Sequence, residues 1–437
     1  MTTVAPLRRT CALPGSPLDQ ASRGLDACVH CGFCLQACPT YVNLDDENDS
    51  PRGRLVLMRR MLDGEIAIDD TDAGMHLDRC LGCRACETAC PSGVPYGELL
   101  EATRATMLPT RGLPAIARII LALFARRRTL HITMLGARAF RATGIPKVAA
   151  RVLPRRFGFP MAMLASTAPV KLSQFRVPGS EKAARKQEPA TEQPRVATLE
   201  GCVMRGLFNH VNEATDRSVT RSGCTLVRAN GQGCCGALHA HAGDVDTARD
   251  LARKNVAAFE TSGADFIVSN SAGCGAMMKG YAHLLHDDKE FAERAVLVAA
   301  RVRDASEFLA ERSPAPTGQL ALRVTHDAPC HQMHAQRVVR QPLAIIESIP
   351  GVVLVPLEDA DQCCGSAGIY NLIEPDTSDA VLAPKLARIR EAKADIVATG
   401  NPGCMMQIGA GLMLEKGSTL RVVHPVELLD AAFADSK

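Results

Sequence analysis

The chain of 437 residues lacks tryptophan and has only four tyrosines. Proteins that bind single-stranded nucleic acids stack the bases on aromatic side chains, so this scarcity argues against that class of protein. The formal net charge of +3 is also too small to indicate nucleic-acid binding. We therefore expect no nucleic acid among the partners of this chain.

Long apolar runs are missing as well. The most apolar stretch, ARIILALFA at 117–125, is far shorter than the roughly 20 residues that cross a bilayer. The first twenty residues lack the apolar core of a secretory signal, and no apolar run follows Arg8 and Arg9 to make a twin-arginine signal. We expect a cytoplasmic protein that is soluble or lies on a surface.

Acidic residues are absent between Glu101 and Glu181, where fourteen lysines and arginines occur. Within this segment, 113–140 has a helical period with one apolar and one basic side. The basic side is either the solvated face of a packed helix or a contact with an anionic membrane surface. A polar linker at 180–194 follows.

Cysteine, in contrast, is abundant, with eighteen residues in a chain that is long for a disulfide scaffold. A reducing cytoplasm with metal-bound thiolates fits this usage better. Sixteen of the cysteines fall into four groups. Cys11 and Cys224 stand outside these groups, and we expect them to be free thiols.

Two runs, at 28–39 and 80–91, have the form C-x-x-C-x-x-C-x-x-x-C-P. In two-cluster ferredoxins the first three cysteines of such a run bind one cluster and the fourth binds the other. The spacing therefore predicts two [4Fe–4S] clusters. Their ligands would be Cys28, Cys31, Cys34 and Cys90 for one cluster, and Cys38, Cys80, Cys83 and Cys86 for the second. Structural zinc sites, the alternative, have a longer gap between their cysteine pairs.

Two clusters indicate electron transfer, because one would suffice to staple a fold. The flanking segments SPRGRLVLMRRMLDG and CETACPSGVPYGELLEATRATML have helical patterns, which predict an α-helical ferredoxin domain. The competing function is a nucleic-acid protein that uses clusters as structural staples and 104–176 as its footprint. Scattered arginines and few aromatic residues weigh against it.

A Cys-Cys-Gly motif occurs twice, at 234–236 and 363–365, within an internal repeat whose cysteines are offset by 128 to 130 residues. A helical pattern follows each motif, and then an apolar strand whose C-terminal end is expected to carry the last cysteine. The pattern predicts two α/β units that pack as pseudo-symmetric partners. The candidate cofactor-binding residues are Cys202, Cys234, Cys235, Cys274, Cys330, Cys363, Cys364 and Cys404.

Each set of four is either a thiolate cage, in which glycine lets the backbone approach closely, or a group of buried cysteines packed as small hydrophobes. Repetition at a constant offset favours the cage. Histidines near the motifs either tune a cluster or handle protons, or they are structural. They are His239, His241, His326, His331 and His334, and His331 is the first candidate because it follows Cys330.

Over nearly its whole length the chain resembles the iron–sulfur subunits of glycolate oxidase, in stretches such as CVHCGFCLQACPTY, SPRGRLVLMRRM, CCGSAGIYNL and GNPGCMMQIGAGL. The resemblance implies an electron-transfer subunit beside flavin-containing subunits that oxidise glycolate to glyoxylate. Electrons would pass to a membrane acceptor such as quinone. The alternative is the iron–sulfur subunit of a D-lactate or glycerol-3-phosphate dehydrogenase complex.

The chain has no G-x-G-x-x-G turn placed after a strand, so we expect substrate oxidation on a partner flavoprotein and no catalytic residue here. Heterodisulfide reductases, a related family, supply a fifth thiolate from a final C-x-x-C. Met277 and Gln407 occupy that position here. A non-cubane cluster and disulfide reduction are therefore not expected, whereas a four-thiolate cluster in either repeat remains open.

The resulting expectation is an α+β multidomain protein on the inner face of the cell membrane, in peripheral contact with it. An α-helical two-cluster ferredoxin domain would occupy 1–110, and a basic helical connector with the polar linker 111–194. The two CCG domains, named after the repeated motif, would occupy 195–315 and 316–437.

Overall fold

A computed structural model describes residues 11–180 and 193–433. Clustering of contacts divides the chain into two compact units. The first unit comprises Met1–Ala115 and His239–Val245, and the second comprises Ile116–Leu238 and Asp246–Lys437. Arg8, Arg9 and most of the predicted linker at 180–194 lie outside the described residues. The four-part division predicted from the sequence remains a prediction.

In the N-terminal part of the first unit, the described residues form helices that are joined by loops. Its helices are α1 (Pro17–Gln20), α2 (Arg23–Asp26), α3 (Pro39–Leu44), α4 (Pro51–Leu62), α5 (Thr71–Asp78), α6 (Ala85–Ala89) and α7 (Tyr96–Arg111), with a 3₁₀ turn at Glu47–Asp49. Ser50 caps α4 by accepting from the N–H of Gly53, and Pro51 occupies its first turn. The predicted helical character of this part is confirmed.

The core of this unit forms where the apolar faces of α4, α5 and α7 meet. Leu18, Met58, Leu77 and Leu99 are fully buried in it. The stretch predicted as helical from Cys86 onward is interrupted between α6 and α7, because Pro91 and a glycine with positive φ, Gly93, turn the chain. This interruption follows Cys90, the fourth cysteine of the second run.

The second unit begins with four helices, α8 (Ala115–Ala125), α9 (Arg127–Ala142), α10 (Ile145–Val152) and α11 (Arg155–Ser166), followed by a 3₁₀ turn at Leu172–Phe175. The segment predicted as one helix at 113–140 is therefore two helices with a break at Arg126. Among the described residues no single helix is long and apolar enough to cross a membrane, and only the bent pair α7 and α8 passes that test together.

The rest of the second unit is built on two parallel four-stranded sheets. The strands are β1 (Arg195–Thr198), β2 (Thr225–Val227), β3 (Phe266–Ser269), β4 (Val302–Asp304), β5 (Leu322–His326), β6 (Val352–Val355), β7 (Ile396–Ala398) and β8 (Arg421–Val423). Their orders, β2-β1-β3-β4 and β6-β5-β7-β8, are the same. The predicted α/β repeat is thus confirmed.

Helices cover both sheets, as parallel strands require. They are α12 (Val203–Leu207), α13 (Asn209–Arg221), α15 (Val245–Ser262), α16 (Ala272–Lys279), α17 (Tyr281–Leu284), α18 (Ala292–Arg301), α19 (Ala305–Arg312), α20 (Gln341–Glu347), α21 (Tyr370–Ile373), α22 (Pro375–Glu391), α23 (Pro402–Leu414) and α24 (Pro425–Ala431), with a π turn at His331–Ala335. The short helix α14 (Ala237–His241) belongs mostly to the first unit. One hydrophobic cluster contains Val196 and Phe308 from the first repeat and Leu322 and Leu428 from the second. The two repeats therefore share a core.

Candidate iron–sulfur sites

The cysteines of the two N-terminal runs line two cavities in the first unit. The outer cavity is lined by Cys28, Cys31, Cys34 and Cys90, and also by Cys86. The inner cavity is lined by Cys38, Cys80, Cys83 and Cys86. In each cavity the fourth cysteine of one run thus lies with the first three of the other, as the spacing predicts.

The two runs share a backbone pattern that turns their sulfurs toward these cavities. His30 and Gly82 occupy equivalent positions and both have positive φ, as do Gly32 and Arg84 two residues later. Left-handed residues at these points fold the chain back between successive cysteines. The fourth cysteines, Cys38 and Cys90, are extended and lie at a helix boundary before a proline.

The donor sets fit iron–sulfur clusters. All cysteines are free of disulfides, and four sulfur ligands around one cavity suit iron. Burial and the neighbouring thiols of Cys83, Cys80 and Cys38 raise the pKa of Cys86 well above its ordinary value. Bound iron would reverse this effect, because it binds the deprotonated thiolate.

The inner cavity also has a buried polar wall. Arg54 is completely buried beside it and donates to Oγ1 of Thr40 at 3.0 Å and to Oδ1 of Asp49 at 3.1 Å. The hydroxyl of Tyr96 donates to Sγ of Cys80 at 3.6 Å. Sequence analysis missed these residues. One signal was present in the sequence: Arg54 lies four residues before the apolar Met58, which places both side chains on the same face of α4.

The first CCG site brings four cysteines together beside β1 and β3. Sγ of Cys235 lies 3.3 Å from Sγ of Cys274. Hydrogen bonding with Cys234, then burial, raises the pKa of Cys202, and Cys234 and Cys274 similarly raise the pKa of Cys235. The four thiols therefore form a continuous chain of contacts in the order 202, 234, 235, 274.

The second CCG site repeats this arrangement. Hydrogen bonds with Cys330 and Cys364 lower the pKa of Cys363, whereas Cys363, Cys404 and burial raise the pKa of Cys364. The sequence analysis expected the last cysteine of each site, Cys274 or Cys404, at the end of a strand, and this expectation was wrong. That cysteine is the third residue of α16 or of α23, because β3 and β7 end at least five residues earlier.

The positions that lack a fifth thiolate are occupied otherwise. Gln407 is fully buried, and its amide accepts from Asn371 at 2.7 Å and donates to Ser378 at 2.8 Å. Met277 packs against the hydrophobic cluster around α15. Cys11 and Cys224 line neither cavity, and their thiols donate to Asp19 and to the carbonyl oxygen of Ser222.

The candidate histidines occupy varied surroundings. Burial lowers the pKa of His326 to about 4, and burial also lowers the pKa of His334. His331 is the first residue of the π turn that follows Cys330. His239 is buried, and Nδ1 of His241 lies 2.8 Å from Glu101. Their roles at the sites remain a prediction.

Comparison with known proteins agrees with this division of sites. Residues 24–94 match the model of a 4Fe–4S dicluster domain. Residues 196–279 and 324–409 each match the model of a cysteine-rich domain. The matched segments contain both tandem runs and both CCG repeats, and the dicluster domain identifies the chain as an iron–sulfur protein of electron transfer.

Relatives extend the similarity over nearly the whole chain. A probable glycolate oxidase iron–sulfur subunit of Bacillus subtilis is 36% identical over 92% of this chain and 92% of its own length. The glycolate oxidase iron–sulfur subunit of Escherichia coli is 33% identical over 94% of this chain and 95% of its own. Lactate utilization protein A of Geobacillus kaustophilus is 31% identical but covers only 54% of this chain. The chain therefore belongs to the family of glycolate oxidase iron–sulfur subunits.

Proposed function

We propose that this chain carries electrons from a flavoprotein that oxidises glycolate to glyoxylate to a quinone at the membrane. The observation that carries the proposal is the pair of cysteine-lined cavities within one unit, in a chain related to glycolate oxidase iron–sulfur subunits over nearly its whole length. Each cavity would hold one [4Fe–4S] cluster through four of the cysteines that line it, and Cys86, which lines both, is assigned to the inner one. When bound, such a cluster takes up and releases single electrons.

Electrons would enter at the outer cavity. Cys31 is exposed there, and the neighbouring Val29 and Phe33 expose 68% and 69% of their surface. Exposed apolar side chains beside a redox centre suit contact with a partner protein. The cysteines of the inner cavity are buried, except for the half-buried Cys83. A flavoprotein would therefore approach Cys31 more closely than it would approach the inner site.

D-lactate is the second candidate substrate, because lactate utilization proteins are 31% identical to part of this chain. They cover about half of it, whereas the glycolate oxidase subunits cover more than nine-tenths. Coverage of the whole architecture favours glycolate. In either case the substrate would be oxidised on the flavoprotein partner.

A peripheral membrane position is supported by the helices α8 to α11. From α8 to the end of α11 this region has basic residues but no acidic ones. The surface of α10 exposes Ile145, Val148 and Val152 at 53%, 64% and 76%, while the small Ala150 faces inward. Large apolar side chains that face outward between basic ones are typical of helices that lie in an anionic lipid interface.

The test is to purify the complex with its flavin subunits without air and to mix it rapidly with glycolate or D-lactate. We expect glycolate to give the characteristic EPR signals of reduced clusters before a quinone analogue reoxidises them. The variant Phe33→Glu should slow this reduction without loss of iron, whereas Val353→Glu, exposed at 52% in the second unit, should not. Faster cluster reduction by D-lactate would overturn the assignment of the substrate.

A further inference from the structure

The inner cavity is lined by a cation that has no access to water. Both side chains of the Arg54–Asp49 ion pair have 0% exposure. Nε of Arg54 donates to the carbonyl oxygen of His76 at 2.7 Å, and Nη1 donates to Oγ1 of Thr40 at 3.0 Å. Nη1 also points at Sγ of Cys38, 3.9 Å away. The guanidinium is therefore held with one edge toward a cluster ligand and the other toward Asp49.

Asp49 divides its carboxylate among several partners besides Arg54. Its carboxylate also contacts Nη1 of Arg79 and Nδ1 of His76, each at 3.2 Å. A carboxylate oxygen of Asp46 also lies within 4.8 Å of Asp49 and His76, so two guanidiniums and two carboxylates meet here, while Arg54 is the guanidinium whose Nη1 lies 3.9 Å from Sγ of Cys38. An arginine guanidinium stays protonated in folded proteins. Arg54 stays charged beside the cysteines.

The outer cavity has a different electrostatic environment. Arg52 lines it, but this side chain is 30% exposed and its Nε lies 2.8 Å from Glu47. Charge that is exposed and paired is screened by water and salt. The inner cavity is thus lined by a buried arginine, Arg54, whereas the outer cavity is lined by the partly exposed Arg52. This difference matters for a charged cofactor.

We propose that Arg54 makes the inner cluster, held by Cys38, Cys80, Cys83 and Cys86, easier to reduce than the outer cluster. Reduction adds one negative charge to a cluster, and a fixed cation in a medium of low dielectric constant stabilises that charge. The hydrogen bonds to Sγ of Cys80 from Tyr96 and from the N–H of Gly82 act in the same direction. One electron would leave the reduced outer cluster, which becomes oxidised, and reduce the inner one.

This inference rests on the cluster ligation in the proposed function, but not on its substrate or partner. The test is an EPR-monitored redox titration of the full chain, purified without air and reduced chemically. In Arg54→Gln, we expect the ratio of oxidised to reduced inner cluster at a fixed potential to rise at least tenfold. For a one-electron couple this corresponds to a lowering of the midpoint potential by about 59 mV. Arg54→Lys, which keeps the charge, should shift it less.

Asp49→Asn gives an independent test with the opposite sign. Removal of the carboxylate leaves more net positive charge, so the midpoint potential of the inner cluster should rise. If Arg54→Gln fails to bind iron, because Asp49 loses a buried partner, the sign of the Asp49→Asn shift decides. The control is Arg60→Gln on the same helix, where the side chain is 57% exposed and pairs with Glu65. It should leave both potentials unchanged.

The variant Cys31→Ser, which disrupts the outer site, identifies the signal of the inner cluster. The inference is overturned if Arg54→Gln retains its iron and shifts neither potential, or shifts both equally. A fall in the inner potential of Asp49→Asn would also overturn it. None of these outcomes depends on glycolate, so a chain that fails with glycolate but shows the expected shifts would contradict only the proposed function.

Discussion

At the residue scale, a lysine and an aspartate are buried together near the second CCG site. Nζ of Lys385 lies 3.1 Å from Oδ1 of Asp327, and the two side chains are 1% and 2% exposed. Replacement of Lys385 by methionine leaves the Asp327 carboxylate buried without its cation. We expect the free energy of unfolding to fall by about 3–5 kcal/mol. Chemical denaturation of the reduced, cluster-free chain measures this change.

Two further variants separate loss of the charge pair from loss of packing. The double variant Lys385→Met with Asp327→Asn should recover much of the stability, because no buried charge is then left unpaired. Lys416→Met, at an exposed lysine, should change the free energy of unfolding by less than about 0.5 kcal/mol. If the double variant were as unstable as Lys385→Met, packing and not charge would explain the loss.

A second residue links stability to pH. Burial raises the pKa of Glu427 to about 7 from an ordinary 4.5, although the N–H of His424 donates to its carboxylate and opposes this shift. The folded state therefore binds a proton that the unfolded state releases between about pH 4.5 and 7. The contribution of Glu427 to stability is thus fully present below pH 4.5 and is lost as the pH rises to about 7.

The variant Glu427→Gln removes this proton equilibrium but keeps an acceptor for the N–H of His424. Between pH 4.5 and 7 we expect the free energy of unfolding of this variant to decline by roughly 3 kcal/mol less than that of the parent, as a pKa shift of this size implies. Denaturation across this pH range measures the difference. The exposed Glu311→Gln is the control. A parallel decline in Glu427→Gln and the parent would contradict the assignment.

Single residues differ in how far the sequence predicts their surroundings. The spacing of Cys28, Cys31 and Cys34 predicts that these three thiols lie near each other, because it fixes the local path of the chain. Nothing in the spacing of Arg54 reveals its contact with Asp49, since that contact depends on how α4 packs against the preceding turn. An arginine on an apolar helix face is a signal, but it does not specify which partner satisfies it.

At the element scale, α10 offers the sharpest test of the membrane surface. In Val148→Glu/Val152→Glu, two exposed apolar side chains become charged, which removes the burial energy that each contributes in a lipid interface, about 1.5–3 kcal/mol. We expect affinity for vesicles that contain phosphatidylglycerol to fall at least tenfold. Cosedimentation of the full chain with these vesicles measures it, and neutral phosphatidylcholine vesicles should bind the parent chain weakly.

The matched control is Val296→Glu/Leu297→Glu on α18, where the side chains are 53% and 64% exposed. This pair lies on a helix outside the basic segment and should leave vesicle binding unchanged. Equal loss in both double variants would show that added negative charge, and not the surface of α10, weakens binding. Absence of binding by the parent chain would refute the membrane surface altogether.

Helices and strands were predictable where the local sequence has a strong periodic pattern. The apolar strands before each last cysteine, and the helices α15 and α22, correspond to patterns that repeat with a constant offset. The predicted placement of Cys274 and Cys404 at strand ends was wrong, because the turn after each strand is shorter than the sequence analysis assumed. A new helix begins soon after the strand, at Ala272 or Pro402, and takes the cysteine into its first turn.

At the scale of the whole molecule, the equal strand orders explain why two CCG sites can share one design. In each sheet, the central strands β1 and β3, or β5 and β7, precede the loops and helices that carry the first and last cysteines. Ligands of parallel sheets generally bind at these carboxyl ends. The repeat in the sequence predicts this equality, whereas the core shared by Val196 and Leu322 depends on packing that the repeat does not encode.

The equality of the two CCG sites leads to the last prediction, the iron content of the whole chain. The two ferredoxin clusters alone would contribute about eight irons per chain. If both CCG sites also hold clusters, the chain purified without air should contain more iron than this. Cys235→Ser and Cys364→Ser should each remove part of the excess, since each sulfur contacts two others of its set. Cys224→Ser, at a cysteine outside the sites, should remove none. Iron and acid-labile sulfide analysis decides, and about eight irons in the parent and all three variants would assign the CCG cysteines to packing alone.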